Sequence, residues 1–322
     1  MDNRESFGSR LGFILVSAGC AIGIGNVWRF PYITGKYGGA AFVLIYLIFL
    51  ILLGLPVMTM EFAVGRASKK SIGTAFSTLK PDKKAWNITS WFGIVGNYML
   101  MMYYTTVSGW MLCYIFKMAG GEFKGMNVGE TGTVFNDLLA SPVQLVFWML
   151  VTIAIGFIVC SFGLQNGVEK VTKPLMVSMF ILMFILCIRS LTLPGGEEGL
   201  KFYLVPDLKR LMDNGIFTVI SAAMGQAFFT LSIGMGSMLI FGSYITKEHT
   251  LTSESITVIV LDTAVAIMSG LIIFPACYAY NVDPGSGPGL VFVTLPEIFI
   301  QMSGGRFWGT LFFIFNVSSI TA

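Results

Sequence analysis

Long apolar runs, each as long as a membrane helix, limit what this chain can fold into. About 20 helical residues are needed to cross the roughly 30 Å hydrocarbon core of a bilayer. Seven runs reach that length, near residues 11–35, 39–65, 86–117, 143–163, 168–190, 215–245 and 252–281. An eighth run follows Arg306. Its residues up to Ala322 would extend only about 24 Å as a helix, so we expect the chain to end inside that helix.

The composition supports a membrane protein and excludes other classes. Only 11% of the 322 residues are charged, whereas a soluble domain carries about 25%. The net charge of +3 forms no basic patch of the kind that nucleic-acid binding requires. All five cysteines lie inside apolar runs, so a disulfide framework is not expected. We therefore predict an all-α polytopic membrane protein, with one transmembrane domain over residues 1–322 in a lipid bilayer.

The basic residues between the runs predict the orientation. The loop at 66–84 carries six basic residues and one acidic residue. Because cytoplasmic loops are rich in Lys and Arg, we expect a multi-pass protein of the inner (cytoplasmic) membrane with its N-terminus in the cytoplasm. On the opposite side, segments 191–215 and 281–305 are longer than a turn, and we expect them to cap an outward vestibule.

Two of the runs are poor helices in their middle. The first contains AGCAIGIGN at 18–26 and the sixth contains FTLSIGMG at 229–236, and each glycine costs about 1 kcal/mol of helix propensity relative to alanine. A broken helix at membrane depth is tolerated only where its backbone is buried in protein or lines a cavity. Paired breaks predict one shared binding site. The alternative is that the glycines only allow close helix packing.

A broken membrane helix offers a specific chemistry. Its free N–H groups attract an anion and its free carbonyls suit a cation, so one site can hold sodium beside a zwitterionic amino acid. Asp262 lies near the centre of the seventh run, where a charge costs at least about 2.5–3.5 kcal/mol. A bound cation is the partner that we expect for it. The alternative is a carboxylate satisfied by neighbouring hydroxyl groups.

Several motifs occur together in one order. The first run reads RLGFILVSAGCAIGIGNVWRFPYITGKYGGAAF; EFAVGR follows at 61–66, Tyr103 and Tyr104 precede Trp110, and GQAFFTLSIGMGS occupies 225–237. In these motifs the chain resembles the neurotransmitter:sodium symporter family, and specifically its bacterial sodium-dependent amino-acid transporters. The resemblance implies a LeuT-like inverted-repeat fold with interrupted first and sixth helices. It also implies an incomplete fold of seven transmembrane helices and part of the eighth, with a first repeat at 11–190 and the start of the second at 215–322.

The same resemblance implies roles for individual residues. A first sodium would be bound, together with the substrate carboxylate, by Ala21, Asn26, Thr230 and Asp262. A second sodium would be bound by Gly19, Ile22, Ser318 and Ser319. The amino-acid substrate would be bound by Ala21, Ile24, Gly25, Leu100, Tyr104, Phe229, Thr230, Ser232 and Met235. An outer gate would be formed by Arg29 and Gln226.

The expected function follows from this site. We expect sodium-coupled symport of a neutral, bulky apolar or aromatic amino acid by alternating access, in which helices one, two, six and seven rock against a scaffold. The protein is expected not to be an enzyme and to use two sodium ions but no organic cofactor. Its expected partners are the amino acid, sodium and the bilayer, and a homodimer is left open. Two alternatives remain, namely a truncated, transport-inactive fragment and a ligand-binding regulatory membrane protein of the same fold.

Overall fold

The computed structural model describes residues 7–23, 25–127, 129–246, 248–280, 282, 284 and 289–321, and these are almost entirely helical. The principal helices are α1 (Arg10–Ala21), α2 (Gly25–Lys36), α3 (Ala40–Ser68), α4 (Ile72–Leu79), α5 (Asn87–Gly120), α6 (Thr131–Ala140), α7 (Pro142–Ser161), α8 (Leu164–Leu191), α9 (Glu197–Leu204), α10 (Leu208–Asp213), α11 (Ile216–Thr230), α12 (Ser237–Gly242), α13 (Leu251–Ala279), α14 (Leu290–Gln301) and α15 (Gly305–Thr321).

The predicted interruptions of the first and sixth membrane helices are confirmed. Five helices, α3, α5, α7, α8 and α13, are long and apolar enough to cross a membrane, and α1 with α2 forms a sixth candidate, bent by 52° at the break. The first five residues of α2 form a π-helical turn, a distortion that is frequent at functional sites. In the sixth run, α11 of 15 residues and α12 of 6 residues are separated by the non-helical residues 231–236.

The long segments outside the membrane runs are themselves helical. Segment 191–215 contains α9 and α10, and segment 281–305 contains α14. Gly199 lets α9 approach α13 closely, because a Cβ there would lie 2.3 Å from the carbonyl oxygen of Phe274. Glu297 on α14 accepts hydrogen bonds from the backbone N–H of Gly129 (2.8 Å) and the hydroxyl of Thr131 (3.0 Å). The second contact holds α14 against α6.

The buried apolar residues form two clusters. We call the first the bundle cluster, which includes Phe62 of α3, Val219 of α11 and Met238 of α12. The second is the scaffold cluster, with residues of α5, α6, α8, α14 and α15, such as Met111 and Phe313. Helices α1, α2 and α13 contribute residues to both clusters. These three helices therefore lie along the boundary between two separately packed parts of the protein, and the two breaks lie close to that boundary.

Candidate functional site

The two helix breaks lie side by side. Gln226 on α11 donates a hydrogen bond to the carbonyl oxygen of Gly25 (3.0 Å), and the hydroxyl of Ser232 donates to the carbonyl oxygen of Cys20 (3.1 Å). Gly25 permits this approach, because a Cβ at that position would lie only 3.0 Å from the ring of Phe229. The two breaks, which lie in separate runs of the sequence, are therefore in direct contact.

A fully buried carboxylate lies at this junction. Asp262 on α13 is 0% exposed and accepts hydrogen bonds from Asn26 Nδ2 (2.8 Å) and Thr230 Oγ1 (3.2 and 3.3 Å to its two oxygens). No salt bridge joins it to a basic side chain of the described residues. Asn26 is oriented in turn by the backbone N–H of Gly23, which donates to Asn26 Oδ1 at 3.3 Å.

This arrangement brings together the side chains expected to hold the first sodium. Asn26, Thr230 and Asp262 come from three different helices, and Ala21, whose carbonyl is expected to join them, is buried at the end of α1. All three side chains offer oxygen atoms, which are the ligands that a hard cation prefers. The donor set therefore fits sodium. A cation there would also supply the positive charge that the buried carboxylate otherwise lacks.

Aromatic side chains line one side of the breaks. The rings of Tyr104 and Phe229 are 6.2 Å apart, and a Cβ placed on Gly23 would lie 3.8 Å from the Tyr104 hydroxyl oxygen. Tyr104, an expected substrate residue, therefore faces the first break. Ile24, another expected substrate residue, lies outside the described residues.

Further expected substrate residues lie along α5 and the second break. Leu100 is partly buried one turn before Tyr104, and the side chain of Met235 lies beside Gly96 on the same helix face. Ser232 has a positive φ of 51°, and its hydroxyl is bonded to the carbonyl of Cys20. The hydroxyl of Ser232, an expected substrate residue, thus joins the second break to the end of α1 in this structure.

The two residues expected to form an outer gate are in direct contact. Arg29 Nη1 donates a 2.6 Å hydrogen bond to Gln226 Oε1. The Arg29 guanidinium also lies 4.5 Å from the centre of the Phe229 ring, a distance typical of a cation–π contact. These contacts join α2 to α11 immediately beside the breaks.

The second sodium site is only partly described. Gly19 and Ile22 are buried, and Ile22 N–H donates to the carbonyl oxygen of Ala18 as α1 ends. Ser318 and Ser319 lie in α15, but their side chains are outside the described part of the chain. This ligand set stays a prediction.

Two polar residues of the membrane runs hold the second break, and neither was predicted to do so. Glu61 on α3 accepts hydrogen bonds from the backbone N–H groups of Gly234 (2.6 Å) and Leu239 (3.3 Å). Asn97 on α5 donates to the carbonyl oxygen of Met235 at 2.8 Å. The signal for Glu61 was present in the sequence, because an acidic residue inside an apolar run is a candidate functional residue by default.

Known proteins with a similar sequence are sodium-dependent transporters. The model of the sodium:neurotransmitter symporter family matches residues 4–126 and 133–319. An uncharacterized sodium-dependent transporter of Bacillus subtilis is 38% identical over 306 residues, which are 95% of this chain and 66% of that protein. Another from Haemophilus influenzae is 33% identical over 319 residues, with 96% of this chain and 69% of that protein covered. The chain thus spans about two thirds of the length of these relatives.

A solved structure is similar over nearly the whole chain. The crystal structure of MhsT in complex with L-phenylalanine superposes with a TM-score of 0.91 at 39% sequence identity. The match covers 99% of this chain and 71% of the MhsT chain. At this identity and coverage the likeness extends to the overall fold.

Proposed function

The chain belongs to the sodium:neurotransmitter symporter family, and we propose that the protein imports a neutral amino acid together with sodium across the cytoplasmic membrane. The expected resemblance and the LeuT-like fold are confirmed. The family is one of sodium-coupled symporters, not of enzymes. The protein is accordingly a multi-pass membrane protein. Our proposal also includes a first repeat at 11–190, the start of a second at 215–322, and a cytoplasmic N-terminus.

The observation that carries this proposal is the buried Asp262 carboxylate between the two breaks. Its hydrogen bonds from Asn26 and Thr230 hold its oxygens in place, but burying a charge without a counter-charge remains costly. Sodium bound there removes that cost. The carboxylate of an amino acid beside the ion would complete the ligand shell, so that each partner binds more tightly when the other is present.

The residues that we propose to surround the side chain of the bound amino acid support a bulky apolar or aromatic substrate. Leu100, Phe229 and Met235 are apolar, and Met is unbranched and adapts to differently shaped neighbours. The MhsT structure contains L-phenylalanine, which supports the same substrate class for this protein. A charged substrate side chain would find no opposite charge among these three residues.

The packing supports alternating access as the mechanism. The side chains of the bundle cluster pack against one another, and so do those of the scaffold cluster. Each of the two parts can therefore move as a unit, with the proposed site between them. Arg29 and Gln226 would close the outer side. The hypothesis also includes a second sodium, bound by Gly19, Ile22 and the α15 serines. A homodimer is likewise part of the hypothesis.

Binding and transport experiments test the proposal. Titration of phenylalanine at several sodium concentrations is expected to show that its affinity rises with the sodium concentration. Asn26→Ala should reduce the affinity for phenylalanine and the affinity for sodium. Asn214→Ala is the matched control, because its side chain bonds only the carbonyl of Arg210 at the end of α10. A phenylalanine affinity that does not depend on the sodium concentration would contradict coupled binding of sodium and substrate. Uptake into proteoliposomes under a sodium gradient then separates a transporter from a chain that binds without transporting.

A further inference from the structure

Asn97 ties the second helix break to α5. Its side-chain Nδ2 donates to the carbonyl oxygen of Met235 at 2.8 Å and to the carbonyl oxygen of Gly93, in its own helix, at 2.7 Å. Both hydrogens of the amide are therefore used. The first bond is made to a carbonyl in the non-helical segment 231–236, where the backbone lacks the regular bonds of a helix.

The backbone on both sides of Met235 is easily rotated. Gly234 and Gly236 have φ values of 90° and 78°, a region that glycine enters at little steric cost. The orientation of this stretch therefore depends on what holds it. Glu61 holds the N–H of Gly234, and Asn97 holds the carbonyl of Met235.

The side chain of Met235 lies beside Gly96 of α5. A Cβ on Gly96 would be 3.5 Å from Met235 Cγ and 3.6 Å from its Sδ. Gly96, Leu100 and Tyr104 follow one another at four-residue steps, which places them on one face of α5. The thioether therefore lies beside Gly96, one helical turn before Leu100, which is proposed to contact the side chain of the amino acid.

We propose that Asn97 is a positioning residue that sets the largest substrate side chain the site accepts, because it fixes the backbone of Met235. This inference rests on the proposed amino-acid site. A small substrate fits while Met235 stays in place. A large one must displace Met235 and break the bond to Asn97, so this bond disfavours the largest substrates selectively.

The test is the size preference of Asn97→Leu, which keeps a similar volume and removes the donor. With sodium saturating, dissociation constants are measured for alanine, leucine, phenylalanine and tryptophan. A net hydrogen bond corresponds to about a five-fold change in an equilibrium constant, so the ratio of the alanine to the tryptophan constant should rise about five-fold. Thr105→Ala is the matched control on α5, because its hydroxyl bonds only carbonyls of its own helix. It should leave the ratio unchanged.

A second variant and a second readout make the inference falsifiable on its own. Gly96→Ala fills the space behind Met235 at ordinary contact distance, so it should shift the preference the opposite way, towards alanine. Without any amino acid, backbone amides of 234–236 should exchange hydrogen faster in Asn97→Leu than in the wild type. Equal shifts for all four amino acids, or unchanged exchange, would overturn the role of Asn97. If the wild type binds none of the four amino acids, the proposed function is refuted. The hydrogen-exchange rates then still test whether Asn97 anchors the backbone of Met235.

Discussion

Removing the Glu61 carboxylate should destabilise the protein more than removing a charged group from its surface. Glu61 accepts hydrogen bonds from the N–H groups of Gly234 and Leu239 at the second break. Gly234 is exposed, so water can replace the acceptor of its N–H, whereas Leu239 is buried. A buried donor left without its acceptor costs about 1–3 kcal/mol, so Glu61→Ala should lower the free energy of unfolding by about that amount. That is a large share of the roughly 5–15 kcal/mol that holds a typical protein folded.

The assay is an unfolding titration in mixed detergent micelles, followed by tryptophan fluorescence. Glu61→Gln keeps one acceptor oxygen and should show about half the loss. Glu122→Ala is the control, because Glu122 is an exposed partner of Lys117, and such pairs contribute about 0–1 kcal/mol. If the free energy of unfolding of Glu61→Ala lies within 1 kcal/mol of the wild-type value, then the carboxylate does not stabilise the second break as the contacts imply.

Three further predictions concern the ion, the packing and the gate. Asp262→Asn keeps the size of the side chain but removes its charge, so the sodium concentration for half-maximal phenylalanine binding should rise at least about ten-fold; an unchanged value contradicts the sodium role. Gly65→Ala places a methyl group 1.9 Å from a backbone oxygen of α12 and should lose about 1–3 kcal/mol of stability. Gly156→Ala meets nothing within 4 Å and should gain up to about 1 kcal/mol, and thermal unfolding compares the two. Arg29→Ala loses its bond to Gln226 and should release bound phenylalanine several-fold faster in a dilution experiment, whereas an unchanged rate argues against a gate.

The membrane helices and their breaks could be predicted because the bilayer imposes a simple rule on composition. The run at 39–65 corresponds to α3 and the run at 252–281 to α13, with ends that differ by at most three residues. Glycines with polar neighbours in the middle of a run marked both breaks. The helices of the loops, such as α4 and α14, were not predicted, because short helices there are stabilised by packing on their neighbours rather than by a periodic pattern.

The meeting of the side chains that we propose to bind sodium could be anticipated, but the contacts that support the second break could not. Asp262 stands out as a charge in an apolar run, and few groups at that depth can compensate it. Glu61 and Asn97 are also polar residues in apolar runs, yet the sequence does not show which N–H or carbonyl each one meets. Those contacts depend on how α3 and α5 pack against the irregular backbone of 231–236, and no local pattern encodes that packing.

The division of the apolar interior into two clusters has a consequence for how this sequence can diverge. Phe13 and Phe62 share the bundle cluster, with rings 5.8 Å apart, whereas Phe292 and Phe313 share the scaffold cluster, with rings 6.4 Å apart. Substitutions at touching positions are energetically coupled, whereas distant ones add independently. Compensating changes should therefore arise within a cluster and rarely across the two. Epistasis between the two halves is then concentrated on α1, α2 and α13, which tolerate the fewest independent changes because they belong to both.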